Sequence, residues 1–261
     1  MREYQISAET TIGNTRSKNE DNVFCNGLYK EKKQNNFSYG GCLQPDVLNV
    51  VGVFDGMGGF SNGETASGIA VRLLGRYTEL IRVKKAMFQT DYVFSKINES
   101  ICSEGARTSE RMGSTVVLWV CENGYARISN LGDSRGYLLR GGTLRQLSVD
   151  HTEENSMLEL QKKLGMTEKL STSKHKNVLT QHLGIEEDEF ILEPAESELF
   201  QVREGDIFLL CSDGLTGALE DGQIQDILSR DMKLEEKKRT LIDAALKNGS
   251  RDNITVVLIE I

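Results

Sequence analysis

The run STVVLWVCENGYARISNLGDSRGYLLRGGTLRQLS, residues 114 to 148, constrains the fold more than any other stretch of the chain. Asn123-Gly124 separates two runs rich in β-branched and aromatic residues, and Gly141-Gly142 separates GYLLR from TLRQLS. Two-residue loops of this kind close antiparallel hairpins. Parallel neighbours would need a long crossover instead. The middle of the chain is therefore predicted to be an antiparallel meander.

Other segments are placed around it. YQISAETT (4 to 11), the residues from Asp21 to Cys25, NVVGVF (49 to 54), DIFLLC (206 to 211) and the terminal NITVVLIEI read as strands. Residues 62 to 82 and 90 to 107 carry apolar residues at helical spacing, as do 153 to 164, 221 to 229 and 235 to 247. Residues 30 to 46 are polar and turn-rich and are read as a surface loop. Residues 168 to 181 offer few core candidates and are read as mobile surface. Antiparallel strands with long helices between them argue for an α+β architecture. At 261 residues the chain is expected to be a single domain, 1 to 261.

Charge and composition exclude several functions. Thirty-nine acids against 31 bases leave a net charge of -8, which disfavours binding to nucleic acid or an anionic membrane. No stretch approaches the ~18 apolar residues of a membrane span, and MREYQISAET lacks a secretion signal. Five cysteines without zinc spacing read as reduced thiols, so the expected location is the cytoplasm.

The acids carry the chemistry. VVGVFDG ends in Asp55-Gly56, IFLLCSDG ends in Asp213-Gly214, and Asp252 stands just before the last strand. NEDNVF adds Glu20 and Asp21, and NLGDSRG adds Asp133. An Asp-Gly pair after a strand is usually only a turn. Several such carboxylates converging without bases would repel one another, and a hard divalent cation resolves the conflict. Two metals bridged by one carboxylate could activate water for attack on phosphorus. Asp55 is the best bridging candidate, because the glycines after it let the backbone fold closely around an ion.

In this order the motifs TRSKNEDNVF, VVGVFDGMGG, MGSTVV, NLGDSRGYLL, LSVDHT, FLLCSDGL and GSRDNITVV resemble the metal-dependent serine/threonine protein phosphatases of the 2C type, in their bacterial form. The resemblance implies two antiparallel sheets packed as a central sandwich, with helices on both outer faces. It implies Mn²⁺ or Mg²⁺ as cofactor, two ions in the core site. Asp55, Asp213 and Asp252 would hold one. Asp55, the Gly56 carbonyl and Glu20 would hold the other. Asp133, with Asp213, would form a weaker third position, and Asp21 would accept hydrogen bonds behind the ligands. Arg16 would receive the substrate phosphate, a role suited to the bidentate guanidinium; by itself an arginine is more often a solvated surface charge.

The implied reaction is hydrolysis of phosphoserine and phosphothreonine in proteins by a water held between the metals, without a phosphoenzyme. The implied partners are phosphorylated proteins and a cognate serine/threonine kinase, and the implied state is a monomer. Residues 152 to 185 correspond to the family's variable flap. Met57 departs from the histidine of some members, which is proposed there to protonate the leaving oxygen; a thioether cannot do so. His151 is read as structural, and His175 and His182 as surface residues. The rival readings are an inactive phosphatase-like binding domain, a metal-dependent phosphodiesterase or nuclease, and a cysteine-nucleophile phosphatase. The last is disfavoured because no CxxxxxR loop surrounds Cys211.

Overall fold

The computed structural model describes residues 3–58, 62–165, 178–186 and 191–261. In chain order the strands are β1 (Tyr4–Thr11), β2 (Asn22–Cys25), β3 (Leu28–Tyr29), β4 (Asn36–Leu43), β5 (Asn49–Phe54) and β6 (Gly56–Met57), followed by helices α1 (Asn62–Lys84) and α2 (Thr90–Thr108). The meander supplies β7 (Gly113–Ser114), β8 (Val116–Glu122), β9 (Tyr125–Leu131), β10 (Arg135–Arg140) and β11 (Thr143–Gln146). Then come α3 (Glu153–Lys163), β12 (Ala195–Glu196), β13 (Phe200–Gln201), β14 (Ile207–Cys211), α4 (Asp213–Thr216), α5 (Asp221–Leu228), α6 (Leu234–Lys247) and β15 (Ile254–Glu260).

Both hairpin turns form as the sequence requires. Asn123 and Gly124 have φ of 51° and 77°, and Gly141 and Gly142 have 58° and 79°. Positive φ at both central residues defines the turn that matches strand twist. The strands form one sheet in the order β11-β10-β14-β15-β1-β4 and a second in the order β12-β9-β8-β5-β2-β3, with β13 also pairing β9. All their pairings are antiparallel.

Three apolar layers hold the sandwich. Between the sheets, Trp119 meets Phe208 at a ring distance of 5.6 Å, and Tyr4 meets Trp119 edge-on at 6.3 Å. Outside the second sheet, Ala66, Ala70 and Leu74 of α1 and Phe94 and Ile97 of α2 cover Phe24, Val50 and Phe54. Outside the first sheet, Ile224 of α5 and Leu241 and Ala245 of α6 cover Tyr137, Leu209 and Val256. With both faces covered, all six positions of β5 are buried, which is why that strand reads as an unbroken apolar run. Among the described residues no helix is long and apolar enough to cross a membrane.

One segment differs from the sequence expectation. Residues 30 to 46 are not simply a loop: Asn36–Leu43 forms β4 and pairs with β1 along its whole length, Tyr4 opposite Leu43 and Thr11 opposite Asn36. It is an edge strand whose residues mostly alternate between partial burial and exposure. Phe37 and Tyr39 pack against the inter-sheet core. The Gly40-Gly41 pair and the flanking lysines and asparagines hide a strand that buries little. Of the flap, residues 166 to 177 lie outside the described residues, and with them most of the 168 to 181 segment and His175. The segment expected to be the flap begins as α3, and its described end is tied at Leu179 to Thr152 and at Leu183 to Ser114.

The topology delivers the acids to one end of the sandwich. Asn22, at the start of β2, lies opposite Phe54 at the end of β5. Cys211, at the end of β14, lies opposite Val256 near the start of β15. Residues just before β2 and β15 and just after β5 and β14 therefore meet at the same edge, half of them from each sheet.

Candidate active site

Asp55 leaves β5 with its backbone clamped. Thr115 donates its amide to the Asp55 carbonyl at 2.8 Å, and its hydroxyl accepts the Asp55 amide at 3.0 Å. The same hydroxyl lies 2.6 Å from Ser134 Oγ, beside Asp133. Gly56 follows in β6, which pairs Gly56 with Ser114 and Met57 with Gly113 of β7. A Cβ on Gly56 would strike the Gly63 carbonyl and come within 2.5 Å of the Glu20 carbonyl oxygen. Only glycine lets these three backbones converge.

Asp21 sits behind them, 2% exposed. Its Oδ2 accepts from Ser212 Oγ and Thr255 Oγ1, both at 2.7 Å. Thr255 is joined in turn to Thr10, and Thr10 to Asn19. This fits the accepting role expected of Asp21. Ser212 also accepts the Thr255 amide at 3.0 Å, so β14, β15 and the Asp21 turn form one unit.

The electrostatics are adverse to bare carboxylates. Burial raises Asp55 well above the ordinary carboxylate range, and Asp21, Asp213, Asp133 and Asp252 add repulsion. Burial pushes Asp21 up to about 7, against the two hydroxyls that favour its charged form. Asp133 rises to about 7 through burial and repulsion from Asp213. Burial and Asp252 raise Asp213, and burial raises Glu20 against the pull of Arg16. Asp213 Oδ1 is buried without a hydrogen-bond partner.

Arg16, predicted to meet the phosphate, projects at the cleft but donates from Nη2 to Asp252 Oδ2 at 2.5 Å. Its side chain keeps half of its surface exposed. One guanidinium cannot offset Asp21, Asp55, Asp133, Asp213 and Asp252 together, since each unpaired buried carboxylate costs several kcal/mol. Among the described residues, no three Asp, Glu, His or Cys side chains stand gathered as a finished ion cage. The donor set is nonetheless all oxygen, more anionic than its one arginine and left with an orphaned buried oxygen. It fits hard divalent cations.

Asn253 is the important residue that the motif reading passed over. It is 3% exposed. Its Nδ2 donates to the Ile12 and Lys18 carbonyls at 3.0 and 2.9 Å, and its Oδ1 accepts the Glu20 amide at 2.8 Å. It thus fastens the whole Arg16–Glu20 turn to the base of Asp252. The signal was present as an Asp-Asn pair at a strand start, where an amide can serve several backbone groups. Lys30, 2% exposed, adds a second fastening by donating to the Asn19 carbonyl at 2.9 Å. Asn253→Ala should weaken Mn²⁺ binding by about 10–100-fold, the usual cost of losing a group that orients ligands. Titration calorimetry on the folded variant measures it, and wild-type affinity would mean that the Glu20 turn is held by other contacts.

The remaining sequence candidates are placed as follows. His151 accepts the Gly132 amide on Nδ1 at 3.1 Å and returns its own amide to the Gly132 carbonyl at 3.0 Å, a structural role. His182 is not a surface residue: it is part-buried beside Gly113, with Nδ1 2.9 Å from the Leu183 carbonyl oxygen. The short return of the flap brings it inward, which its polar neighbours do not reveal. Cys211 is fully buried, and burial pushes its thiol up to about 12, so it supplies no thiolate.

Comparison with known proteins follows the same lines. Residues 34–249 match the family described as Protein phosphatase 2C. The chain is 35% identical to the serine/threonine phosphatase Stp of Listeria welshimeri, over 96% of this chain and 93% of that one. Among solved structures, the Streptococcus agalactiae serine/threonine phosphatase superposes with a TM-score of 0.78 at 27% identity, covering 99% of both chains. The catalytic domain of the serine/threonine protein phosphatase PstP in complex with two manganese ions superposes with a TM-score of 0.74 at 25% identity, covering 99% of this chain and 98% of that one.

Proposed function

The chain belongs to the protein phosphatase 2C family, and on that premise we propose how its residues divide the work. It is a metal-dependent protein serine/threonine phosphatase. The observation that carries the assignment of residues is the convergence of Asp55, Asp133, Asp213 and Asp252, the first three raised by burial and by repulsion from neighbouring aspartates, with one Asp213 oxygen left orphaned.

Two Mn²⁺ or Mg²⁺ ions are the proposed complement. Asp55, Asp213 and Asp252 would hold one, and Asp55, Glu20 and the Gly56 carbonyl would hold the other. Asp133 with Asp213 would form a weaker third position. When bound, such ions neutralise the phosphoryl oxygens and lower the pKa of water to the working pH. Arg16 turns from Asp252 to the incoming phosphate and orients it with paired N–H donors. Half-exposed and hinged on a turn held by Asn253, it has the freedom to do so. Thr115 and Ser212 keep the two sheets' ligands in register. Met57 supplies no proton, so protonation of the departing serine or threonine oxygen is left to water.

We further propose that residues 1 to 261 act as one catalytic domain, with 152 to 185 as its flap, and as a monomer in the cytoplasm. Its substrates are phosphoproteins made by a serine/threonine kinase. Five cysteines outside disulfide bonds and a net charge of -8 support that setting. Purified protein with Mn²⁺ should release phosphate from a phosphothreonine peptide and from p-nitrophenyl phosphate. It should lose that activity in chelator and leave bis(p-nitrophenyl) phosphate untouched. Faster turnover of the diester than of the monoester would overturn the reading.

A further inference from the structure

β6 has two sides. Gly56 directly follows Asp55, and the next residue, Met57, lines a separate cleft of about 420 Å³. Ile101 and Ala106 of α2, Met112, and Ile185 of the flap's return make much of its lining apolar, and Glu110, Arg111, His182 and Glu186 add polar groups to it. The volume falls within the roughly 300–1,000 Å³ of small-ligand sites.

The cleft is held open by fixed backbone. Asn98 on α2 accepts the Gly184 and Ile185 amides at 2.7 and 3.1 Å and donates to the Ile185 carbonyl at 2.9 Å. Ser114 and Leu183 exchange backbone hydrogen bonds at 3.0 and 2.9 Å. Gly184 has φ of +96°, and a Cβ there would strike the Met112 carbonyl, so this wall admits no other residue. α2, β7 and the flap's return are therefore locked together around a concavity that nothing in the catalytic reading uses.

We propose that this cleft is a specificity subsite that takes an apolar side chain next to the phosphorylated residue of the protein substrate. The proposal rests on the phosphatase reading. A phosphoryl group bound beside Gly56 arrives on a peptide chain, and an extended chain advances about 3.3–3.6 Å per residue. Side chains within a few residues of the phosphoresidue thus pass the mouth beside Met57. The occupant is apolar because apolar surface outweighs polar in the lining, and covering it removes that surface from water. Met57 and Met112 suit the purpose: unbranched thioethers adapt to leucine, isoleucine or phenylalanine alike. The methionine that removes a proton donor from the site thereby gains a role of its own.

Phosphothreonine peptides with one leucine walked from three residues before to three after, on an alanine background, test it. At one or two adjacent positions leucine should raise kcat/KM by about 10-fold, the low end of the discrimination an apolar pocket gives. Ala106 is exposed on the lining, so Ala106→Trp can fill the cleft without disturbing the core. It should abolish the leucine preference while p-nitrophenyl phosphate and the all-alanine peptide turn over within about twofold of wild type. Ala106→Ser, nearly isosteric, should keep the preference. No leucine preference at any position, or one that survives Ala106→Trp in a variant with wild-type melting temperature, overturns the proposal. Failure of the phosphatase reading would look different, as absent hydrolysis of p-nitrophenyl phosphate, and would remove the subsite's role with it.

Discussion

Asp55→Asn is expected to lower Mn²⁺-dependent turnover of a phosphothreonine peptide by about 1,000-fold or more, equivalent to ~4 kcal/mol of transition-state stabilisation. The same substitution should make the metal-free protein more stable. Both effects have one origin. Asp55 is raised well above its ordinary range, because burial and four other aspartates oppose its charge. In the proposed loaded enzyme Asp55 would hold the metal with that charge, and an amide cannot replace it. Without metal it is only a cost. An asparagine of the same shape removes the repulsion, and its amide finds acceptors among the neighbouring carboxylates. Relief of a buried, poorly compensated charge is worth on the order of 1–4 kcal/mol. Melting curves in chelator at pH 8, beside steady-state kinetics, measure the pair of effects. A variant that melts below wild type in chelator would show that Asp55 is held by favourable contacts rather than against repulsion.

The second large effect is a pH-dependent response to metal. An acid whose folded pKa is raised keeps its proton in the native state after the unfolded chain has released it. Stability therefore falls as pH rises between the unfolded and folded values. Asp21 and Asp133, both near 7, and Asp55, held well above the ordinary carboxylate range, act this way. His151 and His182 act oppositely: burial lowers both, and their contribution is lost as pH falls below the ordinary value near 6.5. Glu235, held low by Ser7 and Lys238 against its burial, matters only at more acidic pH still. The acids are thus seen alone above about pH 6.5. Between there and pH 8 the chelated protein should lose thermal stability steadily. A divalent ion displaces the same protons, so the rise in melting temperature on adding Mn²⁺ should grow over that interval. At a hundredfold excess over the dissociation constant, ligand linkage contributes about 2.7 kcal/mol. For a chain of this size that corresponds to roughly 5–10 °C. Scanning calorimetry with and without Mn²⁺ at pH 6.5 and 8 checks it. An equal shift at both values would mean that the ion does not compete for these protons.

How much of this was legible beforehand depends on what each residue has to do. The hairpins were legible because Asn123-Gly124 and Gly141-Gly142 adopt φ values that few other pairs accept. The placement of Asp55, Asp213 and Asp252 at strand ends was legible because each adjoins an apolar strand and a glycine or a strand start. β4 was not, because an edge strand with one face in solvent needs only Phe37 and Tyr39 to point inward. Asn253 was passed over because its importance lies in three backbone partners drawn from residues 12, 18 and 20, a long-range fact with no local pattern. The pairing of Arg16 with Asp252 is likewise invisible in sequence, since it joins residues 236 positions apart. The cleft beside Met57 needed α2 and the flap's return to be seen side by side.

The order in which the strands are stitched has a consequence for the chain as it is made. The first sheet takes β1 and β4 from the beginning, β10 and β11 from the middle, and β14 and β15 from the far end. At its centre β15 lies between β14 and β1, and it is translated after both. Until Ile254–Glu260 emerges from the ribosome, β1 lacks one of its two neighbours and the Asp252 turn has no base. Translation runs at about 5–20 residues per second, so the early strands wait many seconds for that partner. A chain that stops before residue 252 lacks both Asp252 and β15, and is expected neither to complete the carboxylate cluster nor to close the first sheet.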